Sequence, residues 1–276
     1  MSYGKLRGAY SKVGQVSVAP YSINNVYGGA AGFPYGGLGG LSLGSVNNNP
    51  LLEPEMNTEI EFGTDLGFID GRVNVGASYF KQNSRNQTLG VQTSASTGFA
   101  QATINAGEIE NKGLEFDLNA DVLRQTTSKV GLKVGGNFAI YDSKVVSLIP
   151  GNNQFQVSGA TGSVYAVVGQ PYPSLIGTDF NRDPQGRVIV NSTAPNLGYP
   201  SVSSTLRNYG RTTPKYVLGL NMSANYKFMT LSAVADYKSG YVIYNAVGST
   251  MTFGGLSASS ASADRERFVY PNSVIQ

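Results

Sequence analysis

Cysteine, histidine and tryptophan are absent from this sequence of 276 residues, and only 13% of its residues are charged. Without cysteine there is neither a disulfide framework nor a thiolate metal site, and without histidine the usual general base and zinc ligand are missing. The formal net charge of +3 is small and no run of lysine and arginine concentrates it, so we expect no nucleic-acid partner. We assign no catalytic residues and expect no metal and no cofactor.

No apolar run in the sequence approaches the length of about eighteen residues that suggests a membrane-spanning helix. The chain is nevertheless 41% hydrophobic, and it contains 35 glycines and 17 tyrosines. If such a chain crosses a bilayer, it must cross as β-strands, because the backbone groups of strands can pair with one another inside the membrane.

Apolar and polar side chains alternate along segments of about ten residues, the length that a tilted strand needs to cross a bilayer. In the segments 59–66 and 114–122 the acids occupy one face, and apolar or small side chains occupy the other. This period of two predicts strands that turn carbon to lipid and polar groups to a wet lumen. The acids that we expect to line the lumen are Glu59, Glu61, Asp65, Glu115, Asp117 and Asp121.

The connections between the predicted strands alternate in length. Tight turns at 69–71 and 226–228 contrast with polar stretches at about 83–107 and 143–213. Short turns at one end of a sheet and long loops at the other are typical of bacterial outer-membrane barrels. The sequence therefore predicts an all-β fold, part of a large antiparallel transmembrane β-barrel with short periplasmic turns and long extracellular loops. We expect about seven strands, the first from Lys5 and the others near 58–67, 72–81, 113–122, 130–141, 215–226 and 229–238.

A soluble antiparallel sandwich is the alternative, because it shows the same alternation with its apolar face turned to a core. Strands longer than the usual five or six residues favour the barrel. Aromatic residues near the strand ends also favour it, because they predict two girdles at the membrane interfaces. The girdle near the long loops would hold Tyr79, Phe80, Tyr141, Tyr216, Tyr237, Tyr241 and Tyr244, and the girdle near the short turns Phe68, Tyr226 and Phe228.

The predicted loops carry aromatic side chains that could stack on sugar rings or hold the side chains of a peptide. Packing within the loops is the alternative for each of them. These ligand-contact candidates are Tyr21, Tyr27, Phe33, Tyr35, Phe155, Tyr165 and Tyr172.

One loop segment, 179–186, places oxygen ligands at alternate positions in the manner of a calcium-binding loop. It departs from the EF-hand pattern because Pro184 stands where glycine is needed and Val190 where glutamate is needed. We therefore expect a β-turn built on Asp183, Pro184 and Gly186 rather than a cation site.

Several segments resemble, in the same order, the barrel of the SusC/RagA-type TonB-dependent transporters. The start YGKLRGAYSKVG at 3–14 is similar to the family's KLRASYGxVG strand, and NPLLEPE at 49–55 to the NPxLxxE element that follows. The segment AGEIENKGLE at 106–115 resembles the family's GxIxNKGxE most closely. Departures are LEPE at 52–55, where the family often has LKWE, and the stretch 178–213, which follows no family loop pattern. Further matches are TDLGF at 64–68 with GRV at 71–73, VGQP at 168–171, TPKY at 213–216 with NYKFMTL at 225–231, and PNSV at 271–274.

This resemblance implies a bacterial outer-membrane barrel of about 22 strands with a plugged lumen. It implies import of oligosaccharides or peptides, energised by the TonB complex through an N-terminal part and assisted by a SusD-like surface lipoprotein, with outer-membrane lipid around the barrel. Within that reading, residues 1–276 form a partial receptor β-barrel domain without a plug domain, signal peptide or TonB box. A siderophore-type receptor and a surface adhesin with a sandwich fold are the alternatives.

We predict that the isolated chain aggregates or stays unfolded in detergent-free buffer, because an open sheet leaves unpaired backbone groups at its edges. Circular dichroism during urea titration measures this directly. Reversible, cooperative unfolding of a soluble monomer would contradict the barrel and favour the sandwich.

Overall fold

The computed structural model describes residues 1–125, 128–158, 163–262, 264, 266 and 268–275. These residues form eighteen strands, with three short helices between strands. The helices are a 3-10 turn at Ala95–Thr97, α1 at Ala246–Phe253 and α2 at Ala258–Ala261. The strands are β1 Tyr3–Gln15, β2 Tyr27–Gly29, β3 Leu41–Leu43, β4 Val46–Asn47, β5 Glu55–Phe68, β6 Val73–Arg85, β7 Thr88–Gln92, β8 Gln101–Asn105, β9 Glu108–Leu123, β10 Val130–Ser147, β11 Gln154–Ser158, β12 Ser163–Val167, β13 Ser174–Gly177, β14 Val188–Val190, β15 Arg207–Arg211, β16 Tyr216–Tyr226, β17 Met229–Ser239 and β18 Ser273–Ile275.

Seven long strands form one antiparallel sheet in the order β1-β5-β6-β9-β10-β16-β17. This confirms the predicted strands, their direction and the alternation of short and long connections between them. The short connections β5–β6 and β16–β17 are tight turns, whereas β6–β9 and β10–β16 are joined by long segments that carry strands of their own.

Residue choice explains the two tight turns. Asp70 and Gly71 have φ values of 51° and 75°, and the amide of Arg72 donates to the carbonyl oxygen of Ile69 at 3.0 Å. Asp-Gly is a preferred pair for such a turn, because its backbone twist matches the twist of the flanking strands. At the other turn Lys227 has a φ of 52°, between the paired ends of β16 and β17.

The strand register separates the two faces of the sheet, because directly paired residues share a face. One row across the sheet reads Gly8, Phe62, Tyr79, Leu114, Ile140 and Tyr216. A row on the opposite face reads Asp65, Gly76, Asp117, Asn137, Gly219 and Asp236. The sheet therefore has one apolar face and one polar face, as the alternation in the sequence predicts.

The apolar face is open to its surroundings. Leu6 is 86% exposed, Phe62 62% and Leu231 66%, although these side chains belong to regular, paired strands. The fully buried apolar side chains lie mostly in or beside the long connections, as do Ala166 and Val188. A sandwich would bury the apolar face instead, so the exposure of these side chains contradicts the sandwich alternative and agrees with a lipid-facing surface.

A band of charge marks the upper limit of the apolar face. Lys81 pairs with Lys112 in the register, two residues above the Tyr79–Leu114 pair and therefore on the same face. Lys81 Nζ lies 2.8 Å from Glu110 Oε2 on the same face. Below this band, β9 presents apolar side chains from Leu114 to Val122, which is about the length of a tilted strand across a bilayer. The strands extend beyond their predicted ends because pairing continues into this charged band.

The predicted girdle near the long loops is partly wrong. Tyr79, Tyr216 and Tyr237 lie on the apolar face, but Phe80 and Tyr141 are paired through Gly113 on the polar face. Position near a strand end does not specify the face, which depends on whether the residue is even or odd in its strand.

The long connections form a separate layer of short strands. A four-stranded sheet has the order β11-β12-β13-β15, and β14 pairs in parallel with β18. Phe180 and Tyr270 stack edge to face with their ring centroids 6.0 Å apart, beside this parallel pair. The segment 178–213, which matches no family loop pattern, thus folds against the segment that carries PNSV.

No helix among the described residues is long and apolar enough to cross a membrane.

We predict that Leu220→Arg destabilises the full-length protein by about 2–4 kcal/mol, because it places a charge at mid-height on the lipid-facing surface. Val234→Arg is the control, since Val234 pairs with Asn221 at the same height but on the polar face. The measurement is the free energy of unfolding in urea after refolding into lipid vesicles. Equal effects of the two substitutions would contradict the assignment of the faces.

Candidate functional site

The register places all six predicted acids on the polar face. Glu61 and Asp65 flank Arg7, whose guanidinium nitrogens lie 3.9 Å from each carboxylate. Asp121 contacts Lys133 at 3.7 Å and Arg124 at 3.3 Å. These exposed or half-exposed pairs contribute at most about 1 kcal/mol each. Glu59 lies opposite Gln82, and Glu115 and Asp117 lie further down β9 on the same face.

Two of these acids also shape the wall. Glu115 accepts a hydrogen bond of 2.8 Å from the hydroxyl of Tyr141. A β-carbon at Gly76 would come within 2.8 Å of Asp117 Cγ, so the carboxylate occupies the space that a side chain at Gly76 would need. A depression of about 270 Å³ lies here, and its lining includes Arg7, Ser78, Glu115, Asp117, Asn137 and Tyr141.

A larger depression of about 590 Å³ lies above this wall, where the polar face meets the loop layer. We name it the mouth pocket. Phe80 and Tyr141 form one side, with ring centroids 6.1 Å apart. Its other lining residues include Gln82, Asn111, Ser143, Tyr172, Arg211, Val217 and Lys238.

Arg211 connects the mouth pocket to the loops. The side chain is only 8% exposed, and its guanidinium donates to the carbonyl oxygen of Tyr141 at 3.0 Å and to Ser143 Oγ at 3.3 Å. Ser143 Oγ in turn donates to the carbonyl oxygen of Tyr172 at 2.6 Å. The end of β10, the loop at Tyr172 and the end of β15 are therefore held together by one buried cation.

Burial of the Tyr172 side chain raises the pKa of its phenol. Among the described residues no hydrogen bond engages this hydroxyl, whereas the backbone amide of Tyr172 donates to Ser143 Oγ at 3.1 Å. The phenol therefore stays neutral at physiological pH and can both donate and accept a hydrogen bond.

Of the seven predicted loop aromatics, the structure brings two to depressions. Tyr172 lines the mouth pocket, and Tyr165 lines a second depression of about 620 Å³ together with Tyr209 and Tyr244. Phe155 is half-buried in β11 and pairs with Ala166. The seven residues thus do not form one site. Those of the first long connection are exposed and line neither depression: Tyr21, Tyr27, Phe33 and Tyr35.

Charged residues brace the loop beside the second depression. Asp179 accepts hydrogen bonds from Arg207 and from the backbone amide of Phe180, and both interactions lower the pKa of this carboxyl. Arg207 also lies over the ring of Tyr209, 5.4 Å from its centroid. Tyr209 is therefore fixed by a cation as well as by its own hydroxyl, which donates to the carbonyl oxygen of Thr178 at 2.8 Å.

The expected β-turn at 183–186 is confirmed. The amide of Gly186 donates to the carbonyl oxygen of Asp183 at 2.9 Å. The Asp183 carboxylate is engaged by Arg187, whose amide and guanidinium both donate to it. Desolvation raises the pKa of the Asp183 carboxyl, but these hydrogen bonds together lower it by more than desolvation raises it. The net shift of this pKa is therefore downward. No group of three acids that could hold a metal ion occurs in the part of the chain that the structure describes.

A family profile described as "TonB dependent receptor-like, beta-barrel" matches residues 3–236, which cover all seven strands of the large sheet except the end of β17. The chain belongs to this family. Its sheet is accordingly part of an outer-membrane β-barrel, and the family consists of TonB-dependent transporters rather than enzymes.

Curated relatives support the SusC/RagA-type assignment. The TonB-dependent receptor P26 of Formosa agariphila is 25% identical over 265 residues, which cover 87% of this chain and 26% of the relative. The TonB-dependent receptor SusC of Bacteroides thetaiotaomicron is 31% identical over 124 residues, covering 42% of this chain and 12% of the relative. The chain thus spans about a quarter, or less, of the length of these TonB-dependent receptors.

A solved structure shows the same fold. The structure titled "Structure of the RagAB peptide transporter" matches with a TM-score of 0.68 at 19% identity, covering 85% of this chain and 26% of that chain. Because 85% of the chain is more than the seven strands occupy, the match also includes residues of the connections between them.

Sequence reasoning missed the residues that define the mouth pocket, Arg211 and Lys238. Lys238 carries a usable signal, because it alternates with the apolar residues of β17 and therefore belongs to the polar face. Arg211 carries none, since its contacts with Tyr141, Asp142 and Ser143 join positions about 70 residues apart and depend on the folded loops.

We predict that Gly113→Ala destabilises the full-length protein by about 1–3 kcal/mol, the usual cost of overpacking. A β-carbon at Gly113 would lie 2.6 Å from Phe80 Cε1 and 2.8 Å from the carbonyl oxygen of Ile140. Gly28→Ala is the control, because nothing lies within 4 Å of its added carbon. The measurement is the unfolding midpoint in urea, and an unchanged midpoint for Gly113→Ala would contradict the close packing of Phe80 on β9.

Proposed function

We propose that this chain forms part of the wall and the extracellular loops of an outer-membrane active transporter that imports oligosaccharides or peptides. The TonB complex energises the import, and a SusD-like surface lipoprotein works with the barrel. One observation carries the proposal. The large sheet of this chain, which belongs to a family of outer-membrane barrels, has an uncovered apolar face on one side and a polar face with paired acids on the other. Such a division suits a wall between lipid and a wet lumen.

The sheet edges support a larger barrel. The outer edges of β1 and β17 carry backbone groups that pair with no other strand of the seven-stranded sheet. Each unsatisfied group in hydrocarbon costs several kcal/mol, so these edges require further strands in the membrane. We therefore propose that residues 1–276 belong to a barrel domain with more strands than these seven, and that the plug and the TonB contact lie outside them.

The six acids fit the lining of the lumen in this proposal. Arg7, Arg124 and Lys133 offset several of their charges, so the wall holds polar groups without a strong field of one sign. The loops contribute binding surface through the mouth pocket and the depression at Tyr165. The name of the RagAB peptide transporter supports peptides as ligands, and the resemblance to the SusC type supports oligosaccharides.

We predict that deleting the gene abolishes growth of the host on either peptides or oligosaccharides as the sole carbon source, and that the full-length gene restores it. A protonophore added to the restored strain should stop uptake of the same radiolabelled nutrient, because TonB-dependent import draws on the proton gradient. As the control, growth of the deletion strain is also measured under iron starvation.

Two results would contradict the proposal. If the deletion impairs growth only under iron starvation, the protein is a siderophore receptor. If uptake in the restored strain continues unchanged with the protonophore, the transport is not energised by TonB.

A further inference from the structure

The residues that line the mouth pocket carry more positive than negative charge. Three cations line it: Lys112 of β9, which lies 3.8 Å from a carboxylate oxygen of Glu110, Arg211 from the end of β15 and Lys238 from the end of β17. Backbone hydrogen bonds bring these strand ends together, since Val242 donates to the carbonyl oxygen of Arg211 at 2.9 Å and Lys215 to that of Ser239 at 3.0 Å. Asp142 is the one acid among these lining residues, while on the polar face Glu59 lies opposite Gln82 and Asp236 lies two residues before Lys238.

The charge of Arg211 is only partly compensated. Its guanidinium donates to the Tyr141 carbonyl at 3.0 Å and to the Ser143 hydroxyl at 3.3 Å, and it donates to a carboxylate oxygen of Asp142 only at the longer distance of 3.5 Å. Asp142 is 46% exposed, so water weakens this ion pair. The buried Nε of Arg211 has no hydrogen-bond partner among the described residues. A buried cation whose one carboxylate partner is distant and half-exposed attracts a further anion.

Lys238 is the exposed cation of the pocket that is not already paired with a carboxylate among the described residues. Its side chain is exposed on the polar face, opposite Val217, and it forms no ion pair with the residues that the structure describes. A lysine ammonium binds a carboxylate by a charge-assisted hydrogen bond, which is about twice as strong as a neutral one.

The remaining lining suits the rest of such a ligand. Phe80 and Tyr141 present aromatic rings, Gln82 and Asn111 present amides, and the neutral hydroxyl of Tyr172 is available for a hydrogen bond. A volume of about 590 Å³ admits a small ligand or a short part of a polymer rather than a whole chain.

We propose that the mouth pocket binds a carboxylate group of the transported ligand, with Lys238 as the direct contact and Arg211 as the buried charge behind it. The carboxylate belongs either to an acidic peptide or to a sugar acid within an oligosaccharide. The inference rests on the proposed transport function and narrows its substrate to acidic members of either class.

Binding to the full-length protein, purified from the outer membrane in detergent, tests the proposal by isothermal titration calorimetry. One arm compares a glutamate-rich hexapeptide with the same peptide in glutamine form and amidated at its C-terminus. The other arm compares trigalacturonate with its methyl ester. We expect the acid form of one pair to bind about tenfold more tightly than its neutral form, which is the usual effect of one charge-assisted hydrogen bond.

Lys238→Gln should remove most of this preference, and Lys227→Gln should leave it unchanged. Lys227 is the matched control because it lies at the opposite end of the same hairpin and outside the mouth pocket. Asp142→Asn should strengthen binding of the acid form by up to about fivefold, since it removes the carboxylate that competes for Arg211. Heat-modifiable migration on a gel confirms that each variant is folded.

Equal binding of acid and neutral forms in both arms, or a preference that survives Lys238→Gln, would overturn the carboxylate site. The absence of binding by both acid probes would overturn it as well. These failures leave the transport function in place if the gene still supports growth and uptake, so the two proposals fail separately.

Discussion

Every backbone amide and carbonyl that enters hydrocarbon must find its partner inside the protein, and this constraint decides the fold of the chain. Seven antiparallel strands meet it by pairing side by side over lengths of eleven to eighteen residues. Once the strands are paired, the pleat sends alternate side chains to opposite faces. The separation of apolar, lipid-facing side chains from polar side chains on the other face is then a consequence of backbone pairing.

The same constraint explains where the chain places its buried core. The apolar side chains of the sheet are left open, whereas Val145, Ala166, Leu175 and Ile176 are buried at the top of β10 and in the loop layer. Water surrounds that layer, so its short strands need an apolar interior of their own. Arg211 lies where the large sheet meets the loop layer. It joins the upper end of β10 to the loops by donating hydrogen bonds to a backbone oxygen and a hydroxyl oxygen of β10.

The barrel strands could be predicted because their signal is local. Alternation between Leu114 and Val122 specifies both the strand and its faces, and Asp70-Gly71 specifies a turn. The face of Phe80 was predicted wrongly because position near the strand end was weighed above its alternation with Tyr79. The loop layer could not be predicted, since the pairing of Val188–Val190 with Ser273–Ile275 joins segments more than eighty residues apart.

The candidate site also has one part that the sequence predicts and one part that it does not. The acids of the wall follow from period two. The mouth pocket depends on residues from six separate segments, including Arg211 and Tyr172, that come together only in the folded chain. When ligand-contact candidates are chosen by aromatic residue type alone, exposed residues such as Tyr21 and Tyr35 are included along with Tyr172. Burial and hydrogen bonding, which distinguish them, are properties of the fold.

Spin labels placed along β16 test the account most directly, since the chain has no cysteine to compete with the introduced ones. Single substitutions Val217→Cys to Asn225→Cys in the full-length protein in lipid vesicles would each carry a nitroxide, whose collisions with oxygen and with a water-soluble nickel chelate are measured by power saturation. The account predicts high oxygen accessibility at the even positions Leu218, Leu220, Met222 and Ala224, and low accessibility at the odd positions between them. Accessibility without a period of two, or with the odd positions facing lipid, would contradict it.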